Sequence, residues 1–433
     1  MIYRPVIDRV AVTVPLDPPS AALFAAAFIA VAILTARRPV YGLVALVLAA
    51  PLAFAHSLLG TEITLPKVLV LGVLLGCSTY RGAIGRLRDR PVPLLLAALG
   101  LLLLATALTA VPAVHRALVA REVLKVAQYA AFFIAAALCY RLDPEDRPIR
   151  AAVAIAAIAV SLSALAQELI GAPSGLFIGS AIVPRIAGLL EGPNQLSGYY
   201  EVAIATLGAM ALVRRDSLLD AALALSVCAD VLTFSRAGWF GLAVVAVILL
   251  FIGGARARHA LQPALLGLAA GIVGSVGWAI YAHTPGVLRA SLEPSLYAGG
   301  VGNRDELWHA AWRMFAAHPL FGVGAGNFEL ALPAYGLFGV RTHANSWYLQ
   351  ALAEGGVVLF AATIALIATI VVAFVDAGPM RRLRAGSPWI VAALAASAAL
   401  ALHQTVDYLV FYPKVADAWW LLLGTAAASS LSP

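Results

Sequence analysis

Charge is what this 433-residue chain has least of: Asp, Glu, Lys and Arg make up 12% of it, against 62% hydrophobic residues. A soluble domain is about a quarter charged, so a water-soluble globular fold is excluded. Cysteine is also scarce. Cys77, Cys139 and Cys228 are the only three, each inside an apolar segment, which excludes a disulfide framework and offers no metal-ligand spacing. The short alternating apolar and polar segments of a membrane β-barrel are absent. So is the charge order of a cleavable signal peptide. Residues 1–19 mix Arg4, Asp8, Arg9 and Asp17, and Arg37 and Arg38 follow the first apolar run instead of preceding it. No soluble domain and no internal repeat is evident.

What the chain has is long apolar blocks, with a mean hydropathy of +0.92. Many reach the roughly 20 residues a helix needs to cross a bilayer core. In lipid the backbone must satisfy its own hydrogen bonds, so spanning segments are helical. Thirteen spans are predicted, at 20–36, 40–56, 66–80, 91–111, 118–140, 150–170, 193–213, 216–233, 237–254, 262–283, 346–376, 387–405 and 416–430. The expectation is an all-α polytopic bundle of 12–13 transmembrane helices with one large helical loop on one side. It divides into helices over 1–283, the loop at 284–345 and C-terminal helices over 346–433.

The net charge of +7 invites a nucleic-acid partner, but the positions of the basic residues fit membrane topology instead. Arg37/Arg38, the arginines of 81–90 and of 141–150, Arg214/Arg215, Arg256/Arg258 and Arg381/Arg382/Arg384 fall on alternate connections. They make up more than half of the 29 Lys and Arg residues. Positive charge marks the cytoplasmic side. The other side, periplasmic in a two-membrane cell, then holds 57–65, 112–117, 171–192, the turn near Ser235, the long loop and 406–415. The N-terminus lies on that side if all thirteen spans cross.

Basic residues on this second side run against the topological bias. They are Arg185, Arg236, Arg289, Arg304, Arg313 and Arg341, with His309, His318 and His343. An Arg held at a membrane-embedded end is a functional hypothesis by default; the plain alternatives are snorkelling of Arg236 and pairing of Arg185 with Glu191. Three spans open toward the same side: at Gly192-Pro193-Asn194, with Pro193 suited to a first turn, at Ser235-Arg236, with Ser235 as N-cap, and near Thr342-His343-Ala344-Asn345. Their positive dipole ends, with guanidinium groups, suit a phosphate or diphosphate. His343, Trp347, Gln350 and Glu354 are spaced to share one helix face. A histidine at a helix N-terminus stays neutral and can serve as a general base. Asn194 and Asp407 are further candidates to touch a polar substrate. Arg121 and Glu122 read as structural.

Inside the loop, 303–318 predicts an amphipathic helix. Asn303 and Glu306 form its capping box. Leu307, Ala310, Ala311, Met314 and Phe315 form its apolar face, flanked by Trp308 and Trp312 as at a membrane interface. The glycine-rich run 321–327 lacks the strand-then-helix context of a nucleotide loop.

These motifs in order are Arg185-Ile186-Ala187-Gly188, Pro193-Asn194, Thr233-Phe234-Ser235-Arg236-Ala237-Gly238, Arg304-Asp305-Glu306-Leu307-Trp308, His318-Pro319-Leu320-Phe321-Gly322-Val323-Gly324, and His343 with Tyr348-Leu349-Gln350 and Glu354-Gly355-Gly356. Together they resemble the O-antigen ligase and O-antigen polymerase superfamily. The likeness covers about 183–357 in motifs and nearly the whole chain in the order of spans. In the family the histidine is often followed directly by Asn; here Ala344 stands between His343 and Asn345. The resemblance implies a GT-C-like fold and an inverting glycan transferase of the bacterial inner membrane that needs no metal or cofactor. Its donor is a sugar chain on undecaprenyl diphosphate. Its acceptor is the lipid A core in a ligase, or another lipid-linked glycan in a polymerase. It further implies Arg185 and Arg236 as holders of the donor diphosphate and His343 as activator of the acceptor hydroxyl. Arg304, Arg313, Arg341, Gln350, Glu354, Asn194 and Asp407 are then candidates for the rest of the substrate. A lipid-glycan flippase would want midplane charges and repeats, and a cell-wall polymerase of the shape, elongation, division and sporulation type fits the motif order less well.

Overall fold

Proline sets where many of the helices start. It occupies the first turn of α1 (Pro18–Arg37), α2 (Pro39–Ala49), α3 (Leu65–Ser78), α4 (Val92–Leu108), α7 (Pro193–Val213) and α14 (Pro413–Ser429), where its missing N–H costs nothing. The other long helices are α5 (Arg116–Leu142), α6 (Asp146–Ile170), α8 (Ser217–Leu232), α9 (Arg236–Gly253), α10 (Arg258–Tyr281), α11 (Arg304–Ala317), α12 (Trp347–Asp376) and α13 (Trp389–His403). This computed structural model describes residues 14–15, 17–52, 55–58, 61–170, 175–178, 181–281, 304–340 and 342–430. Each of the thirteen apolar segments is a helix, and α11 is the helix expected in the long loop.

The protein is an all-α polytopic bundle. Among the described residues, six helical stretches are long and apolar enough to cross a membrane: Pro18–Arg37, Arg116–Leu142, Asp146–Gln167, Pro193–Val213, Arg236–Gly277 and Trp347–Asp376. Others are shorter than expected. Eleven-residue α2 rises about 16 Å, half the thickness of a bilayer core. The expected span 40–56 stops at Ala49 because Pro51 follows and the chain then enters a strand pair. Strand β2 (Ala55–Leu58) runs antiparallel to β3 (Thr61–Thr64) and parallel to β1 (Val14–Pro15). A second antiparallel pair, β4 (Gly175–Ile178) and β5 (Ala181–Pro184), lies between α6 and α7.

Contacts between connections sort them onto two faces. On one, Arg38 pairs with Asp143 at 3.1 Å and with Glu145 at 2.5 Å, and Arg141 pairs with Asp89 at 3.0 Å. Arg256 donates to the Leu383 carbonyl and Arg382 to that of Ser430. This is the arginine-rich face. On the other, the Ala325 N–H donates to Thr109 Oγ1 at 2.9 Å, Asn194 to Asp407 at 2.7 Å, and the Trp347 N–H to the carbonyls of Gln404 and Asp407. The β1–β2 pairing sets Val14 and Pro15, just ahead of α1, beside the connection from α2 to α3.

Helix α7 is buried along nearly its whole length and forms the axis, packed by α8, α9, α13 and α14. The outward surfaces of α9 and α10 stay apolar where exposed, at Phe240, Phe251, Leu266 and Val273, as a lipid-facing wall must.

The loop helix α11 differs from expectation. Its face of Leu307, Ala310, Ala311 and Met314 is buried against Phe328, Leu332, Ala344 and Ala353, so protein rather than lipid covers it. The glycine-rich run is structural as well. Helix α12 breaks at Gly356, whose φ of 58° and ψ of −156° no helix allows. The break frees backbone groups inside the bundle, where they need partners. Val323 and Gly324 donate N–H to the carbonyls of Ala353 and Glu354 at 2.9 Å, and the Val357 N–H donates to Pro319 O at 2.8 Å. Gly322, Gly324 and Gly326 all have positive φ, which lets the run press against the broken helix.

Candidate active site

Three helices open onto the second face. Ser235 caps α9, accepting the Gly238 N–H at 3.4 Å, and α7 opens at Pro193, both as expected. The third opening sits later than expected: α12 begins at Trp347, with Ser346 as its cap. His343 is therefore in the connection before the helix and does not share a face with Trp347, Gln350 and Glu354. The turn from α8 to α9 is only three residues long and holds Phe234 at φ 52°, an uncommon and strained value for a bulky side chain.

That turn presents its Thr233 carbonyl to Arg185. Arg185 Nε donates to it at 2.5 Å and Nη2 donates to Asn194 Oδ1 at 2.7 Å, while Asn194 Nδ2 donates to Asp407 Oδ2 at 2.7 Å. Glu191, the alternative partner of Arg185, instead pairs with Lys414 at 3.3 Å. Burial lowers the pKa of Arg185 to about 10, and Arg304 and Arg236 add to the fall while Asp407 resists it. Three guanidinium groups, from α9, α11 and the segment before α7, thus lie near one another, and Asp407 faces those of Arg185 and Arg304. Burial opposes the charge of Asp407, but His403, His343 and Arg304 outweigh it and hold the group below the ordinary carboxylate range. Arg304 Nε is buried with no hydrogen-bond partner among the described residues. Its place here was not legible locally, because it depends on how the long loop folds back.

The other candidates fall elsewhere. Arg313 donates to the Tyr335 carbonyl on the exposed side of α11, and Arg341 lies outside the described residues, as does Asn303. Gln350 Oε1 accepts the Ala344 N–H at 2.7 Å, and Glu354 Oε1 accepts the Phe328 N–H at 3.1 Å. Both hold backbone: Gln350 fixes the segment that carries His343, and Glu354 the short helix Phe328–Ala331. Glu122 pairs with Lys125 at 2.8 Å.

His343 stands among the rings of Tyr408, Phe411 and Tyr412, at 5.7, 5.6 and 5.9 Å between centroids. Its Nδ1 accepts the Asn345 N–H at 3.1 Å, and its Nε2 lies 3.1 Å from Tyr412 Oη. A backbone N–H can only donate, so Nδ1 is unprotonated and the proton sits on Nε2. Burial, aided by Arg304 and Lys125 and opposed by Asp407, pushes its pKa down to about 4. His343 is neutral at ordinary pH, as expected, but its lone pair is taken. In this arrangement it donates a hydrogen bond and is not a free base. The residue after Ala344 explains the bond: Asn345 takes φ 48°, which turns its N–H back onto the ring.

An apolar cavity of about 460 Å³ runs between α7, α8, α9 and α10, from Trp239, three residues along α9 from Arg236, to Ala257. Trp239, Leu242, Ala243 and Ala246 line it from α9. Leu250, Leu265, Leu268 and Ile272, exposed on the outer surface, border it, so it opens sideways.

Below the arginines the sequence reading missed a buried set. Glu201 of α7 lies 2.7 Å from His403 Nδ1 of α13, and Ser197 donates to Asp230 at 2.6 Å. An ionisable residue inside a span was the available signal.

A polytopic helical membrane protein with a cluster of arginines on one face and an apolar side cavity is the class that fold and site define. Residues 221–364, from α8 to the middle of α12, match the family model described as O-antigen ligase. The match covers about a third of the chain and marks a likeness to that family over these residues. No curated protein matches the chain.

Proposed function

We propose that this protein is an O-antigen ligase-type glycosyltransferase. It moves a glycan from undecaprenyl diphosphate to the lipid A core at the periplasmic face of the bacterial inner membrane. The observation that carries the reading is the mutual proximity of Arg185, Arg236 and Arg304, with Arg236 three residues along α9 from Trp239, which lines an apolar side cavity. A polyprenyl diphosphate has that shape: two phosphates at the interface and a long apolar tail in the bilayer. Arg185 and Arg236, with the openings of α7 and α9, hold the diphosphate and stabilise the charge it gains on leaving. Arg304 adds a third cation. Asn194 and Asp407 fix the fork of Arg185. The acceptor oxygen attacks the anomeric carbon from the side away from the diphosphate, which inverts that centre. His343, a neutral donor at Nε2, orients the acceptor oxygen. The same motifs serve polymerases, whose acceptor is a second lipid-linked glycan.

The test is transfer by purified protein from an undecaprenyl-diphosphate oligosaccharide, with lipid A core and the lipid-linked glycan offered in parallel, with and without chelator. Product on lipid A core, unchanged by chelator, is expected. A ladder on the lipid-linked glycan makes the protein a polymerase. Loss of activity with chelator overturns the metal-free scheme. Movement of intact donor across vesicles without transfer makes it a transporter.

A further inference from the structure

With its Nδ1 lone pair engaged, His343 leaves the proton of the acceptor hydroxyl without a receiver. A second histidine has the opposite arrangement. His403 ends α13 and is 1% exposed; its Nδ1 meets Glu201 Oε1 at 2.7 Å, and Glu201 is wholly buried. A carboxylate on Nδ1 fixes the tautomer that leaves the Nε2 lone pair free and steadies the imidazolium once it forms. Nε2 of His403 has no hydrogen-bond partner among the described residues. Neither have Glu201 Oε2, Asp230 Oδ2 and Gln404 Nε2, all buried beside it. Four unpaired polar atoms in one buried place are costly unless water joins them.

The fold makes room for this set. A Cβ at Gly241 of α9 would collide with Glu201 Oε1, and one at Gly238 with Ser197 Oγ. Ser197 in turn holds Asp230. The set is also joined to the cationic pocket. The turn after α13 bonds the Val406 N–H to the His403 carbonyl at 3.1 Å, and the Trp347 N–H binds the carbonyls of both Gln404 and Asp407 at 3.0 Å. Asp407, four residues beyond His403, carries the Asn194–Arg185 chain. The titratable groups facing Glu201 are His403 from α13, Asp230 from α8 and Asp407 from the α13–α14 connection; α9 presents Gly241. Tyr200 adjoins Asp230, and Cys228 adjoins Tyr200.

We propose that His403 and Glu201 form a buried dyad that receives the acceptor's proton through water from the pocket. This rests on the glycosyl-transfer reading. The acceptor oxygen bonds to the anomeric carbon. The bond from that carbon to the diphosphate oxygen breaks, its electron pair leaving with the diphosphate. The hydroxyl proton passes by water to His403 Nε2, with Glu201 as counter-ion, and returns to the outer face after product release.

The experiment compares wild type, Glu201→Gln, Glu201→Asp and His403→Gln in lipid nanodiscs, reading kcat, KM and the pH profile of transfer. Glu201→Gln keeps an acceptor for Nδ1–H but loses the charge. Its kcat and that of His403→Gln fall about 100-fold or more, the acidic limb of the profile moves, and KM for donor stays within about twofold. Glu201→Asp restores part of the loss. A folded Glu201→Gln with wild-type kcat and an unmoved limb overturns the proposal and leaves the pair a packing feature. A second readout needs no turnover: pH-difference infrared spectra of the resting protein. A protonation band lost in both Glu201→Gln and His403→Gln supports the dyad, and its absence from wild type overturns it. If wild type transfers no glycan, the functional reading has failed, and the infrared result alone decides the dyad.

Discussion

Replacing Arg185 by Lys keeps the charge in the pocket and removes the fork. Arg185 spends Nε on the Thr233 carbonyl at 2.5 Å and Nη2 on Asn194 at 2.7 Å, and still has N–H groups for a phosphate oxygen. A lysine has a single nitrogen at the end of a flexible stem and cannot hold those two positions and a phosphate in one plane. The variant therefore gives up at least one charge-assisted hydrogen bond in the transition state. Such a bond is worth about 1.5–3 kcal/mol, which is about 10- to 150-fold in kcat/KM. The charge itself remains, so Arg185→Ala must fall further than Arg185→Lys. The assay is initial-rate transfer from a lipid-diphosphate oligosaccharide, with membrane insertion and thermal midpoint as controls. Arg185→Lys within about twofold of wild type would refute the fork; equal losses in Lys and Ala would refute the role of charge.

Gly356→Ala places a Cβ against the backbone of Pro319 and Leu320 at a φ of 58°. It should cost more than about 2 kcal/mol, seen as a lowered thermal midpoint in detergent; an unchanged midpoint refutes the account of the helix break. Ala246→Phe fills the side cavity and should raise KM for a donor with a full polyprenyl tail but not for a short-tail analogue. Equal effects on both would show that the tail lies elsewhere. The pKa of His343 is depressed from 6.5 to about 4, so the unfolded chain binds the extra proton between those values. Its contribution to stability is present above about pH 6.5 and lost as the pH falls to about 4, at most about 3 kcal/mol and reduced by solvent screening. His343→Gln should flatten that part of the stability curve, and an unaltered slope would contradict the burial argument.

The sequence made the helices legible because lipid allows little else: thirteen apolar blocks became thirteen helices. It misplaced ends where a local rule was overridden. Pro51 and the β2–β3 pair cut α2 short, and Ser346, not the Thr342–Asn345 stretch, caps α12. Arg185 and Arg236 stood out because basic charge on the second face runs against topology. Arg304 stood out on the same ground, but its meeting with the other two was not legible, since it depends on the packing of α11 on α12. The spacing of Gln350 and Glu354 showed a shared polar face but not their partners, the N–H groups of Ala344 and Phe328, which only the tertiary fold brings to them.

Arg236 and Gly238 illustrate how one short motif carries two jobs on opposite sides of a helix end. Ser235 caps α9 and sets Arg236 at the pocket. One turn on, Gly238 and then Gly241 supply no side chain, and that missing volume admits Ser197 and Glu201 from α7. Arg236→Ala should leave the buried set intact and weaken donor use. Gly241→Ala should leave the pocket arginines in place and displace Glu201 from His403. A structural reading of the motif predicts that both variants lose activity with the same pH profile. The two-sided reading predicts that only Gly241→Ala moves the acidic limb. The profiles of these two variants, measured side by side, separate a motif that merely packs from one that binds at its tip and moves a proton below it.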